Sequence, residues 1–135
     1  MPKIDISFIL LSAICLIIGI FLGIWMAAAH DFQFAPVHAH LNLLGWASLA
    51  LFGLIYRAYP TLQASWLAKA HLLLSGSAAF AFPLGIYYSI AHEQHGLAIV
   101  MSFVTLAGVV IFFVNLVRAF FFASASAPAV AQPIA

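Results

Sequence analysis

Four apolar stretches, each about 20 residues or longer, constrain this chain more than anything else in it. They cover about residues 6–29, 36–56, 66–90 and 96–122, and about 20 apolar residues in helical form span the hydrocarbon core of a bilayer. Backbone N–H and C=O groups find no water there, so a crossing segment satisfies them internally, as a helix. Charged residues make up only 5% of the 135, whereas a soluble domain carries charge at about a quarter of its positions. The fold class that follows is an all-α membrane protein. The short links over 30–34, 57–65 and 91–95 predict neighbouring helices running in opposite directions, an up-down four-helix transmembrane bundle. One domain is expected over residues 1–122. A tail of small residues with Pro128 and Pro133 over 123–135 has little to bury and is expected to be disordered.

The few charges carry information through their positions. Lys3, Arg57, Lys69 and Arg118 all fall on one side of the proposed bundle, and basic residues mark the cytoplasmic side. Both termini are therefore expected in the cytoplasm, in an inner membrane of bacterial type. A formal net charge of +1 excludes nucleic acid as a partner, since that needs a dense basic stripe. Lys3 ahead of an apolar run ending in Ala27-Ala28-Ala29 superficially resembles a secretory signal. The run is too long for a signal's core and is read as a true first span. Cys15, the single cysteine, is read as packing. Trp66, Tyr56 and Tyr59 suit a cytoplasmic interfacial belt.

The opposite side collects His30, Asp31, His38, His40, His92, Glu93 and His95. His38 and His40 are the informative pair, because they lie within the second span, and a polar side chain kept inside a bilayer usually binds something. Two residues apart, they point to roughly opposite sides of a helix at about 100° per residue. They suit two separate partners better than one chelated ion, and imidazoles on apolar helices are what haem iron takes as axial ligands. His30, His92 and His95, at helix ends, are further candidates. His71 lies more than about 10 Å from the level of His40 at 1.5 Å per residue. Its expected role is a hydrogen bond to a neighbouring helix or to water.

The run His38-Ala39-His40-Leu41, continuing through Leu51-Phe52-Gly53-Leu54-Ile55-Tyr56 to Tyr59-Pro60, resembles the tenth helix of the haem–copper oxidase catalytic subunit. The likeness is to the C-type, haem b-containing oxidases and the nitric oxide reductases. Lys69-Ala70-His71-Leu72 is similar to the start of that family's eleventh helix. Gly108-Val109-Val110-Ile111-Phe112-Phe113, with Asn115 and Arg118, is similar to its twelfth. The resemblance covers nearly all of residues 36–119, and the whole chain reads as a stand-alone version of the family's ninth to twelfth helices. In the family the first histidine of the His-x-His pair is proximal ligand of a high-spin haem, and the second ligates a low-spin haem. The resemblance thus implies haem b as cofactor, with His38 and His40 as axial ligands, and respiratory electron carriers as partners.

Two departures shape the expectation. The family's copper ligands, a His-Pro-Glu-Val-Tyr-type segment and a His-His pair, are absent from this chain, so copper-dependent oxygen reduction is not expected of it. The separate second helix that supplies the other axial histidine is absent too, although Pro36-Val37-His38 with Asn42 also looks like that helix. The family's twelve helices form a quasi-threefold ring, which a homotrimer of this chain would rebuild, with His38 and His40 of neighbouring subunits facing across a haem. Gly19-Ile20-Phe21-Leu22-Gly23 is a GxxxG pattern suited to close helix contact. Three functions are open at this point: a b-type haem protein in electron transfer or diatomic gas binding, a copper or zinc site at the outer mouth from His30, His92, His95, Asp31 and Glu93, and a structural accessory of a respiratory complex.

Overall fold

A computed structural model describes residues 3–122. The tail over 123–135, expected to be disordered, lies outside the described residues. Every regular element among them is helical: α1 (Ile4–Ala29), α2 (Ala35–Ala58), a short α3 (Pro60–Gln63), α4 (Trp66–His92) and α5 (Gly96–Phe122). Four of these helices are long and apolar enough to cross a membrane. Phe103, Leu106, Val110 and Phe113 on α5 and Ile17, Phe21 and Ile24 on α1 are exposed, the surface a lipid-facing helix presents. This is a multi-pass membrane protein.

Helix ends follow local chemistry. His30 and Glu93 close α1 and α4 in the left-handed conformation, with φ of 51° and 56°, where a C-terminal residue can turn the chain away from the helix. Ser65 caps α4 by accepting from the Leu67 N–H at 3.2 Å. The second link holds the single turn α3, started by Pro60. Within α2, residues Leu41–Ser48 wind as a π-helix. Such wider turns are rare and concentrate at functional sites; this one begins at the residue after His40.

Lipid offers no hydrophobic drive for helix association, so contact depends on small residues that let backbones approach. A Cβ on Gly45 would sit 2.7 Å from that of Cys15, and one on Gly53 would sit 2.9 Å from the Asp5 carbonyl. Cys15 is fully buried there, as packing. On the other side of the molecule Gly85 lets α4 meet the α5 backbone at Ala98. The half of the bundle nearer Lys3 is closed by an aromatic core of Phe8, Phe52, Tyr56, His71 and Phe112. Tyr56 is 0% exposed, so it does not belong to the interfacial belt. Its period on α2 turns it inward, while Tyr59 and Trp66 do lie exposed.

Replacement of Gly53 by Ala forces Cβ against the Asp5 backbone and the Phe8 side chain. It should destabilise the folded protein in detergent by about 1–3 kcal/mol, the usual cost of overpacking. Gly96→Ala, with nothing within 4 Å of its Cβ, should leave the thermal midpoint unchanged.

Candidate functional site

His38 sits in the second turn of α2, which Pro36 starts, and the GxxxG segment of α1 houses it. A Cβ on Gly23 would lie 2.8 Å from His38 Cε1, and one on Gly19 would lie 2.6 Å from Asn42 Nδ2. The two glycines thus make room for two polar side chains of α2 within one subunit; the close contact they permit is internal. The imidazole is half-buried, and its Nδ1 lies 2.8 Å from the Gly19 carbonyl oxygen. Asn42, one turn further on, donates to the His38 carbonyl at 2.8 Å. Its amide nitrogen is 3.5 Å from each ring nitrogen, too long to compete.

His40 makes the same kind of bond on another side of the helix. Its Nδ1 lies 2.7 Å from the Pro36 carbonyl oxygen, and its ring meets Phe82 of α4 edge-on at 5.0 Å. The two imidazoles therefore look to different neighbours, α1 for His38 and α4 for His40, as their spacing predicts. A carbonyl oxygen can only accept, so in both rings Nδ1 carries a hydrogen, and the neutral form of each ring has its lone pair on Nε2. That tautomer, fixed by a backbone acceptor, is the one in which an imidazole ligates a metal through Nε2. An apolar groove of about 640 Å³ lies between α1, α2 and α4, and neither histidine is among its lining residues. It is lined by Phe21, Leu22, Trp25, Val37, Leu41 and Pro83 among others, with Val37 and Leu41 bracketing the two histidines along α2.

The other outer histidines are less engaged. His95 is exposed and hydrogen-bonds Ser89 through Nδ1. His92 is exposed beside Tyr88, with ring centroids 5.7 Å apart, and His30 is exposed at the end of α1. Asp31 is held by Gln33, whose amide donates to it at 2.9 Å. Among the described residues no three His, Cys, Asp or Glu side chains come together to hold a metal ion. The outer-mouth copper or zinc site is thus not assembled within one chain. The candidate ligands are divided between the end of α1 and the link from α4 to α5, and Glu93 closes α4 through its backbone alone.

His71 has a different situation from all of these. It is 0% exposed, and it shares a hydrogen bond of 3.0 Å between its Nδ1 and the Tyr56 hydroxyl, the bond to a neighbouring helix expected of it. The rings of Phe8, Phe52 and Phe112 enclose it at 4.6–5.0 Å. Nε2 has no partner, and the surrounding rings leave only their π faces as weak acceptors. Sequence reasoning did not identify Gly19, Asn42 or Phe82 as site residues. Asn42 had a signal, a polar residue one helical turn from His38 in an apolar run, and Gly19 had one as part of the GxxxG pattern.

Comparison of the chain with protein-family profiles, curated proteins and solved structures finds no match to any of them. The site therefore rests on its own chemistry.

Imidazole ¹⁵N shifts of the protein in bilayers should show a hydrogen on Nδ1 of both His38 and His40. Gly23→Ala should shift the His38 signals and leave those of His40 in place; unchanged His38 signals would contradict the cradle.

Proposed function

We propose that this protein binds haem b in the cytoplasmic membrane, as a relative of haem–copper oxidase subunit I without the copper site. The observation that carries the reading is the paired arrangement of His38 and His40. Each holds its Nδ1–H on a backbone carbonyl and keeps an Nε2 lone pair at membrane depth, which is the donor an axial haem ligand offers. His40 Nε2 has no hydrogen-bond partner among the described residues, and His38 Nε2 has only the long 3.5 Å approach of Asn42. His38 has the more rigid seat, against α1. His95 is the alternative partner if both axial ligands come from one subunit. Bound haem b supplies a one-electron redox centre and, with an open coordination position, a site for a diatomic gas. What the chain's own residues do is orient the two imidazoles and exclude water around them.

The topology belongs to the same proposal: an up-down bundle with both termini cytoplasmic. Its support is the register of close approaches. Residues 5, 15, 19 and 23 of α1 meet 53, 45, 42 and 38 of α2, and 75 and 85 of α4 meet 108 and 98 of α5, so the numbers fall on one helix as they rise on the next. With Lys3, Arg57, Lys69 and Arg118 then at one end, the positive-inside rule sets the orientation. A homotrimer rebuilds the twelve-helix ring that the chain resembles, and closed cyclic symmetry is what homo-oligomers favour.

Protein from haem-replete cells should show a Soret band, with the chromophore extractable by acidified acetone. There is one cysteine and no Cys-x-x-Cys-His motif for covalent attachment. The absence of a Soret band would refute the proposal. His38→Ala and His40→Ala should each lower the haem-to-protein ratio severalfold. His71→Phe, which keeps a ring in the aromatic core, should leave it unchanged. Loss of haem in His95→Ala, with retention in one of the first two, would move the second axial ligand to His95. In mild detergent the haem-loaded protein should have the mass of three chains; a haem-loaded monomer would exclude the trimer.

A further inference from the structure

Ser75, on the inner face of α4, is 8% exposed, and its hydroxyl is buried without a hydrogen-bond partner. It stands at the seam with α5, where Gly108 lacks the Cβ that would strike it. An unsatisfied hydroxyl in the middle of a membrane bundle is costly, and serine on a helix ordinarily turns back to a carbonyl of its own helix. Ser77 does so here, donating to the Leu74 carbonyl at 3.0 Å.

Ser75 lines a small cavity between α2, α4 and α5, of about 40 Å³, together with Ser48, Ala79 and Thr105 and the apolar walls of Leu44 and Phe52. One water needs roughly 10–15 Å³ on this measure, and two to four polar partners. The partners can be counted. Ser48 gives its hydrogen to the Leu43 carbonyl at 2.8 Å, and Thr105 gives its own to the Met101 carbonyl at 2.8 Å. Both oxygens are therefore free to accept. Ala79 adds a third acceptor, because the residue four positions on is Pro83, which has no N–H to donate to the Ala79 carbonyl.

We propose that this cavity is a hydration site at the centre of the bundle, holding two water molecules. A first water accepts the Ser75 hydroxyl hydrogen, and with a second water bonded to it three hydrogens remain, one each for the Ala79 carbonyl, the Ser48 hydroxyl and the Thr105 hydroxyl. Every polar group then has a partner, and three helices are joined at one point. The site lies against the π-helical run, two of whose residues, Leu44 and Ser48, form its wall.

The test is water-to-protein magnetisation transfer by solid-state NMR on the full chain in lipid bilayers. Transfer to the amides of Ser48 and Ala79 should exceed that to lipid-facing Phe113 severalfold. Ser75→Val fills the space and should bring Ser48 and Ala79 down to the Phe113 level, with helical signals retained. Ser75→Ala, which removes only the hydroxyl, should reduce transfer to both; it decides the matter alone if the valine variant fails to fold. Wild-type transfer no stronger than at Phe113 would mean a dry cavity. Transfer unchanged in Ser75→Ala would mean that Ser75 does not hold the water. Either result overturns the proposal, and neither depends on whether haem is bound.

Discussion

The close approach of α1 to α2 is the interaction on which the rest of the structure depends. In lipid, apolar side chains gain nothing by leaving hydrocarbon for protein, so helices associate through packing and polar contacts. Here the packing is made by glycines at positions 19, 23, 45 and 53, each receiving an atom of the facing helix within 3 Å of where its Cβ would be. The same approach brings the Gly19 carbonyl within 2.8 Å of His38 Nδ1. That carbonyl already takes part in the α1 backbone ladder, so the bond uses its second lone pair. Spacing α1 further off would leave the imidazole with no acceptor in a medium that supplies none.

Histidine appears in this molecule in two different settings, set by what surrounds each ring. His71 is enclosed by aromatic rings that leave no route for a cofactor to its Nε2. It holds α4 to α2 through Tyr56 and acts as a core residue with a polar edge. His38 and His40 are half-buried, and each spends Nδ1 on a carbonyl. His71 likewise pairs only Nδ1, so what sets His38 and His40 apart is that no cage of aromatic rings closes over their second nitrogen. A fixed Nδ1 beside an accessible Nε2 is compatible with the ligand role proposed above.

The spans, their approximate ends and the separation of the two outer histidines were legible in the sequence. Length, hydropathy and the angle per residue are local quantities, and they survive folding. Tyr56 was misread because interfacial preference is an average over helix ends, whereas its burial comes from Phe8 and Phe112 on other helices. The GxxxG pattern was legible as a close-contact surface but not as to what it contacts, since the pattern says only that small residues share one face. The π-helical run had no local signature at all. It arises where α2 must set Gly45 against Cys15 and also carry Leu44 and Ser48 toward α4 and α5.

That π-helical run and Pro83 together show how polar backbone is managed at mid-depth. An α-helix in lipid pairs every interior carbonyl with the amide four residues on, and each departure from this leaves a group to be satisfied by something else. Pro83 makes one departure on α4 and residues 41–48 make another on the facing stretch of α2. The two occur at the same level: the Ala79 carbonyl freed by Pro83 lies 3.8 Å from where a Gly45 Cβ would be. Hydroxyls are concentrated there as well, in Ser48, Ser75 and Thr105, one from each of three helices. Irregular backbone and hydroxyl side chains thus fall at one depth, between the imidazole pair and the aromatic core, and this lets the outer part of α2 hold its histidines in a setting distinct from that of His71.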